Sequence, residues 1–519
     1  ADFDQMRDAL GCGLGFLTDR HGLDWWDLFV VDFHFQLEQW AKLKKLVAAL
    51  NPRDEIVVTR RGLHSRILEL LLNRPVACLS SDGNRLSRGL RHYAAMLSRV
   101  PASRLLQGVA DKHDAGYRVR RLLARRPARS DTPVVLLPSP YINVARTGLL
   151  YAERLPETQF LLVATRRSGW IASPPANVRA ARLASYATGR IDTEELESLL
   201  QRWSRLKRDL MQVEPVAGLI RLGLYDSLPQ SLRNGLRVRN AWLEVLEREP
   251  VQAVLCADDV NSTARLPLLL ARQRGLPAIA CHHGALDGRH QMRPRQDCLF
   301  LAKGRMEQDY LLRVCRNSRS LVEIGAPARP PAPARPPEPE QRAVVFFSEP
   351  YEVLGGRGME FYRDVLPPLA DVAAEHGREL AVKLHPFESL RERRRQAKAV
   401  LSRPQFERVR FIEGPTTDAL LNNTWFAVTV LSTSSVDCTL RGIPAFICNW
   451  LEYSDYGYAG QLIRFGAAAK LDSPQDILDI PRKLQKFTPP DTSALWSPIC
   501  PERFQQLLSR EPLQVAAAV

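Results

Sequence analysis

The stretch ELAVKLHPFESL, residues 379–390, decides the fold. An apolar run is followed by a His-Pro pair and then by a polar stretch with helical spacing. Strand, short turn and helix in this order form the repeating unit of a parallel sheet that is covered on both faces. Proline ends a strand and is favoured at the first position of a helix. We therefore predict a strand over 379–384 and a helix over 388–400, with Pro386 able to start the helix and His385 beside its N-terminus.

The same unit recurs along the chain. Seven of the 15 residues in 326–340, APARPPAPARPPEPE, are proline, and this composition is typical of an extended linker. Before it we predict helices over 193–213 and 231–249, and strands over 28–32, 55–60, 75–80, 133–137, 159–165, 252–257 and 277–281. After it we predict strands over 343–348, 408–412, 425–431 and 443–449, and helices over 358–376, from 435 and over 474–486.

These elements predict an α/β protein with two doubly wound domains facing a central cleft, where open α/β folds bind ligands. We place an acceptor-binding domain over 1–325, the proline-rich linker over 326–341, and a nucleotide-sugar-binding domain over 342–487. The tail, 488–519, has a helical pattern and is predicted to pack back on the first domain.

Composition restricts the class of protein. The chain has 519 residues, 45% of them apolar and 25% charged, which is typical of a globular protein and excludes collagenous and disordered chains. We find no run of 18 apolar residues and no leader-like segment at the start, so we expect a cytoplasmic protein. Its nine cysteines are scattered singly, which argues against a disulfide scaffold or a zinc site.

The net charge of +15 predicts an acidic partner. Two basic clusters are either solvated helix faces or attractors for an anionic glycan or phospholipid headgroups, so peripheral contact with the inner membrane stays open. No aromatic platform accompanies them, and we expect no nucleic-acid partner. The clusters are Arg118, Arg120, Arg121, Arg125, Arg126 and Arg129, and Arg391, Arg393, Arg394, Arg395 and Lys398.

The strongest candidate site lies in the second domain. Lys383 ends a strand directly before His385 and Pro386, and a histidine beside a helix start is suited to an anion. A second strand leads into 432–435, STSS, where hydroxyl groups open a helix and could hold a phosphate. An ordinary turn and an ordinary helix cap are the competing interpretations. The predicted nucleotide-binding residues are His385, Pro386, Lys383, Ser434, Ser435 and Ser432, with Gly356 from the glycine-rich loop that follows strand 343–348.

The first domain offers candidate catalytic groups at its strand ends. Asp258 and Asp259 follow the strand VQAVLCA, and a carboxylate there can act as a general base or a nucleophile. Because neighbouring strand residues point in opposite directions, we expect only one of them to act. The next strand ends in His282-His283-Gly284, where glycine permits a sharp turn, and His283 is the third candidate. Helix capping and one buried histidine are the competing structural roles.

The KLHP strand end, the serine-rich helix start and the RGIPAF strand after it resemble the C-terminal donor domain of bacterial GT-B glycosyltransferases. The nearest likeness is to those that use CMP-activated acidic sugars: Kdo transferases, sialyltransferases and polysialyltransferases of surface polysaccharide biosynthesis. The motifs cover about residues 342–490. The resemblance implies a GT-B-like fold, with His385 and Pro386 contacting the nucleotide and the serine pair Ser434 and Ser435 its phosphate. It also implies an acidic-acidic-glycine base motif, for which Ser81-Asp82-Gly83 is the nearest match, so Asp82 is a further candidate base.

We therefore expect a glycosyltransferase that moves Kdo or a related ulosonic or sialic acid from its CMP-activated form onto a capsule or lipopolysaccharide glycan. The expected partners are the nucleotide-sugar donor and an anionic or lipid-linked glycan acceptor. We expect no cofactor and no metal, since no DxD motif lies in a suitable loop. The alternatives are a UDP- or GDP-sugar glycosyltransferase, a CDP-glycerol-type phosphotransferase and a non-catalytic glycan-binding scaffold.

Overall fold

The structure is a computed structural model that describes residues 2–58, 62–79, 131–188, 191–286, 288–294, 296, 298–326, 342–350, 358–451, 457–498 and 500–509. Three of the sequence predictions lie outside these ranges: the candidate base Asp82, the loop glycine Gly356 and the basic cluster over 118–129. So does nearly all of the proline-rich linker.

Apolar runs in the first part of the chain form a short pair of parallel strands and a seven-stranded sheet. The pair is β1 (Val57–Val58) and β2 (Ala77–Cys78). The sheet has the order β5-β4-β3-β6-β7-β8-β9, in which β5 to β7 run parallel to their neighbours, as do β8 and β9. Its strands are β3 (Val134–Ser139), β4 (Gln159–Ala164), β5 (Val178–Arg182), β6 (Val251–Cys256), β7 (Ala278–Ala280), β8 (Leu299–Ala302) and β9 (Val322–Ile324).

A six-stranded parallel sheet follows, with the order β12-β11-β10-β13-β14-β15. Every side chain of β10 and β11 is buried, because helices cover both faces of a doubly wound sheet. The strands are β10 (Ala343–Phe347), β11 (Leu380–Lys383), β12 (Val409–Ile412), β13 (Thr424–Thr429), β14 (Ala445–Cys448) and β15 (Ala469–Leu471).

The helices alternate with these strands. Those before the second sheet are α1 (Asp2–Gly11), α2 (Trp25–Val30), α3 (His34–Ala49), α4 (Leu63–Leu72), α5 (Ile142–Arg154), α6 (Thr193–Leu210), α7 (Val216–Arg221), α8 (Leu228–Arg248), α9 (Ser262–Gln273), α10 (Gly288–Met292) and α11 (Arg305–Asp309). The later ones are α12 (Gly358–Glu375), α13 (Leu390–Val400), α14 (Arg403–Glu407), α15 (Asp418–Asn422), α16 (Ser434–Thr439), α17 (Tyr458–Arg464), α18 (Gln475–Leu478), α19 (Ile480–Leu484) and α20 (Pro501–Leu508).

The predicted fold class, α/β with two doubly wound parallel sheets, is confirmed. In each of the two large sheets, the strand that comes first along the chain lies beside the fourth, and the strand order reverses between them. Open α/β sheets bind ligands at this point. These switch points lie between β3 and β6 in the first sheet and between β10 and β13 in the second. The loops after those four strands are therefore the first places to look for a site.

Two predicted elements are wrong. The apolar run 28–32 was expected to be a strand, but it belongs to α2 and the short 3-10 turn after it. Asp24 caps this helix by accepting a hydrogen bond from the amide of Trp26 at 3.1 Å, and every residue of α2 is buried. A helix that is buried on all sides shows the same continuous apolar run as a buried strand, so periodicity alone could not separate them.

The second wrong prediction concerns the start of α13. Pro386 does not begin this helix, which starts at Leu390 with Ser389 as its cap. Pro386 and Phe387 instead form a turn between the strand and the helix. His385 therefore lies directly before this turn and not at the N-terminus of α13.

The chain divides into two compact units. The first comprises residues 1–281, 292–299 and 501–519, and the second comprises 282–291 and 300–500. Residues 300–325 belong to the second compact unit, although β9, the last strand of the seven-stranded sheet, ends at Ile324. In the first unit, the ring of Phe504 from α20 stacks on Tyr151 with centroids 4.1 Å apart. No helix in the described part of the chain is long and apolar enough to cross a membrane.

A close backbone approach fixes the end of β3 at the switch point of the first sheet. The hydroxyl of Ser139 donates to the carbonyl of Gly169 at 2.8 Å, and a Cβ atom on Gly169 would lie 2.1 Å from the Ser139 carbonyl oxygen. Only a residue without a side chain fits there.

We expect Gly169→Ala to lower the free energy of unfolding by about 1–3 kcal/mol, because the added methyl group overpacks the strand end. Gly148→Ala is the matched control in the same unit, since its Cβ would meet Leu137 at an ordinary 3.4 Å. Urea unfolding of both variants tests this. Equal stability of the two would show that the approach to Ser139 is not tight.

Candidate functional site

The turn after β11 is held by a buried carboxylate. Glu388 has a side chain with no exposed surface, and one of its oxygens accepts the backbone N–H of His385 at 2.7 Å. The other oxygen accepts the hydroxyl of Ser348 at 2.8 Å and Nε of Arg393 at 2.5 Å. Because Ser348 follows β10 and Arg393 lies on α13, this one side chain connects the His385 turn with the neighbouring strand end and the next helix.

The guanidinium of Arg393 completes this network. Its side chain is 4% exposed, and it donates to Gln396 at 2.6 Å and to the carbonyl of Glu349 at 3.2 Å. The hydroxyl of Tyr362 shares a 3.0 Å hydrogen bond with Ser348. The second basic cluster is therefore not all on the surface. Arg393 is buried, and the other four members are exposed: Arg391, Arg394, Arg395 and Lys398.

The ring of His385 is neutral at pH 7. Burial lowers the pKa of His385 to about 4, and the charges of Lys383 and His283 act in the same direction. Nδ1 lies 3.2 Å from the backbone nitrogen of Phe387 and accepts its N–H. The proton of the neutral ring is therefore on Nε2, so the imidazole offers an N–H donor without a positive charge.

The hydroxyl loop, residues 432–435, follows β13 and leads into α16, as the sequence predicted, and the strand order places it at the switch point. Its serines differ in burial. Ser435 is fully buried, and its hydroxyl donates to the carbonyl of Ser432 at 2.9 Å. Ser432 and Ser434 are half-buried, with their hydroxyl oxygens 3.3 Å apart. Of the three serines, Ser432 and Ser434 are thus better placed for a ligand, and Ser435 holds the loop in shape.

Lys383 has its ammonium group among backbone carbonyls. Nζ donates to Leu384 and to Gly414, both at 2.7 Å, and the residue is 4% exposed. Burial lowers the pKa of Lys383, and the charge of Glu388 opposes this effect. The side chain ties the end of β11 to the loop after β12, and a nucleotide contact from it stays a prediction.

A histidine turn lies in the same unit as His385. His282 is buried and His283 half-buried, with ring centroids 4.5 Å apart. Lys303 donates from Nζ to the carbonyl of Gly284 at 2.9 Å and pairs with Glu307 at 3.3 Å. Lys303 also lies within electrostatic reach of Asp437 on α16. The turn therefore places His283 near His385 and a cation near the hydroxyl loop.

The two strand-end carboxylates of the first unit are enclosed by protein. Asp258 accepts the hydroxyl of Tyr141 and, at 3.2 Å, the backbone N–H of Asn261. Asp259 has no exposed surface and forms a hydrogen-bonded ion pair with Arg293. Each carboxylate thus has a structural partner, and a catalytic role for either stays a prediction.

Three residues that contact the candidate groups were not predicted from the sequence: Glu388, Lys303 and Tyr141. Glu388 was visible as an acid three residues after His385, but its partner Arg393 was concealed in a run of arginines. Lys303 follows the strand after the histidine turn, so its place at a strand end was the available signal. Tyr141 carried no signal, because its contact with Asp258 spans 117 residues.

Comparison with known proteins gives no sequence relative. No protein-family model matches the chain, and no curated protein matches it. Solved structures of similar fold are found. They include the UDP-GlcNAc 2-epimerase of Methanocaldococcus jannaschii in complex with UDP-GlcNAc and UDP, with 11% identity over 73% of this chain and 99% of that chain and a TM-score of 0.43.

Two further structures have a similar fold. MurG from Acinetobacter baumannii is 10% identical, with 73% of this chain and 99% of that chain covered and a TM-score of 0.40. The glycosyltransferase SnogD from Streptomyces nogalater is 14% identical, with 74% and 96% covered and a TM-score of 0.38.

The low pKa of His385 predicts a loss of stability in acid. The folded-state pKa of about 4 lies below the ordinary value of 6.5, so between these values the unfolded chain binds a proton that the native ring does not. This contribution is fully present above pH 6.5 and is lost as the pH falls towards 4. Urea unfolding should show that the free energy of unfolding falls less between pH 7 and pH 4.5 for His385→Gln than for the wild type. The same decline in both proteins would contradict the neutral, buried ring.

The buried ion pair predicts a second effect. Glu388→Gln leaves the charge of Arg393 buried without a counter-charge. Such a loss lowers the free energy of unfolding by about 3–5 kcal/mol. The control is Glu392→Gln on the same helix, whose pair with Arg395 is exposed and worth at most about 1 kcal/mol. Thermal and urea unfolding of the two variants measure the difference. A Glu388→Gln protein as stable as the control would show that the network is not needed.

Proposed function

We propose that the chain is a glycosyltransferase whose second unit binds a nucleotide-activated sugar. The observation that carries this proposal is the position of the hydroxyl loop and His385 at one edge of the second sheet. Ser432 and Ser434 follow β13, which forms the switch point with β10, and His385 follows β11, the other neighbour of β10. Ligands of doubly wound sheets bind at this edge.

The available groups suit a phosphate that becomes more negative as the sugar leaves. Nε2–H of His385 and the hydroxyls of Ser432 and Ser434 are neutral hydrogen-bond donors that are already held in place. Donors fixed before the reaction stabilise developing charge without having to reorganise. Binding through such groups would lower the barrier for departure of the nucleotide.

The choice of nucleotide depends on charge. The motif resemblance predicted a CMP-activated ulosonic acid, whose single phosphate needs only a few donors. A nucleoside diphosphate carries more charge and is served by a further cation, and Lys303 supplies one within reach of α16. We therefore place the UDP- or GDP-sugar alternative ahead of the CMP-ulosonic donor.

His283 is the proposed general base or acid of the transfer. It is half-buried, lies on the turn after β7 and acts electrostatically on His385. Histidine has its ordinary pKa near neutral pH, so it can exchange a proton with an acceptor hydroxyl. The acceptor itself, a capsule or lipopolysaccharide glycan, remains the expectation of the sequence resemblance.

Nucleotide binding is tested by a thermal-shift series with CMP, CDP, UDP, GDP and ADP, since a ligand that binds only the folded state raises Tm. We expect UDP or GDP to give the largest rise. A selective response to cytidine nucleotides would instead support the ulosonic donor or the glycerol-type phosphotransferase, both of which release CMP. Phosphorus in the transfer product then identifies the phosphotransferase. No response to any nucleotide would contradict the proposal and favour the glycan-binding scaffold.

The hydroxyl loop is tested by Ser434→Ala, which should weaken binding of the responding nucleotide roughly ten-fold by calorimetry, because a hydrogen bond to a charged phosphate is lost. Ser493→Ala, an exposed serine of the same unit, is the control and should bind as the wild type does.

For the catalytic role, His283→Ala should lower kcat for nucleotide release from the donor about 100- to 10,000-fold while the nucleotide Kd changes little. His376→Ala removes another histidine of the same unit and serves as the control. A His283→Ala enzyme with unchanged kcat would rule out this assignment.

A further inference from the structure

The turn after β11 exposes an aromatic ring beside the candidate donor site. Phe387 is 72% exposed, more than any other aromatic side chain among the large exposed apolar residues of the described chain. Single exposed apolar residues are common on protein surfaces, so exposure alone says little. Its surroundings are what distinguish it.

Phe387 is held in a fixed place despite its exposure. Its backbone N–H donates to Nδ1 of His385 at 3.2 Å, and the two ring centroids are 5.1 Å apart at an angle of 57°. Proline precedes it and restricts the backbone. Glu388 follows it and is anchored by Ser348, Arg393 and the amide of His385. The flat ring is therefore presented to solvent from a turn whose other side is rigid.

The chemistry around the ring combines an apolar face with a polar donor. Nε2–H of the neutral His385 imidazole can donate to an oxygen, and the ring of Phe387 beside it can cover a planar group. A nucleotide carries both parts: a flat base and, one ribose away, oxygen acceptors. Stacking of bases on aromatic side chains contributes substantially to binding and tolerates any base, because every base has a π face.

We propose that Phe387 stacks on the nucleobase of the donor and provides the base-dependent part of the affinity, while His385 and the hydroxyl loop bind the sugar-phosphate part. This inference rests on the proposed function, because it assigns a residue to the nucleotide of that same site. Exposed cations on α13 could alternatively make Phe387 a membrane contact, and the test below separates the two.

The test measures Kd by calorimetry for UDP and CMP, which contain a base, and for inorganic pyrophosphate, which does not. Phe387→Leu keeps an apolar side chain but removes the ring, and Phe387→Tyr restores it. We expect Phe387→Leu to raise the Kd of UDP and of CMP roughly ten-fold or more, while the Kd of pyrophosphate changes less than about two-fold. Phe387→Tyr should bind both nucleotides as the wild type does. Leu478→Ala, an exposed apolar residue of the same unit, is the control and should change none of the three.

Each other outcome overturns the inference in a recognisable way. Unchanged nucleotide affinity in Phe387→Leu, with a wild type that binds UDP or CMP, contradicts stacking and leaves the proposed function in place. Equal losses for nucleotide and pyrophosphate would mean that the substitution disturbs the turn. Binding of vesicles containing phosphatidylglycerol that is lost in Phe387→Leu, with nucleotide affinity kept, would identify a membrane contact. A wild type that binds no nucleotide contradicts the proposed function and this inference together.

Discussion

The carboxylate of Glu388 holds the second unit's candidate site together. A buried charge is tolerated only when its oxygens are occupied by donors, and here a backbone N–H, a hydroxyl and a guanidinium fill both oxygens. These donors come from the His385 turn, the end of β10 and α13. Because one group cannot move without leaving another unsatisfied, the turn is fixed relative to the strand at the switch point.

That constraint determines the electrostatics of the site. The turn keeps the His385 ring partly shielded from water, which lowers its pKa and leaves a neutral N–H donor at pH 7. The nearby hydroxyls of Ser432 and Ser434 are neutral as well. The charge that an anionic ligand requires therefore has to come from elsewhere. Two cations of this unit act electrostatically on Asp437 of α16: Arg441, which donates to the carbonyl of Asp437 at 3.0 Å, and Lys303, which is held by the carbonyl of Gly284 and by Glu307. Neutral donors with cations close by are what the proposed phosphate contact requires.

The sequence was most informative where strands are buried on both faces. The runs that became β10, β11 and β13 are continuous and apolar, and the helices between them have clear periodicity, so the second sheet was predicted nearly strand by strand. The same logic failed at α2, because a helix buried on all sides has the same apolar run. It also missed β5 (Val178–Arg182), β9 (Val322–Ile324) and β15 (Ala469–Leu471), whose partly exposed side chains interrupt the apolar pattern. The four-residue strand β8 (Leu299–Ala302) is fully buried and was missed as well.

The candidate site was predicted less completely. His385 and the serine loop were found because proline and hydroxyl residues directly after a strand are visible in the sequence. The role of Arg393 was not predicted, since the burial of one basic residue among five depends on Glu388 and Ser348, which other segments bring to it. The enclosure of Asp258 and Asp259 depends on Tyr141 and Arg293 for the same reason. Strand ends identify where a site lies, but long-range partners decide which of its residues remain available to a ligand.

Hydrogen–deuterium exchange with and without saturating UDP tests whether a nucleotide binds at the carboxyl edge of the second sheet, because it reports where a ligand contacts the protein without assuming a reaction. We expect slower exchange in peptides that contain residues 384–389 and 431–436, with little change in peptides from α18 and α19. Protection confined to other segments, in a protein shown to bind the nucleotide, would contradict the placement of the donor at the carboxyl edge of the second sheet.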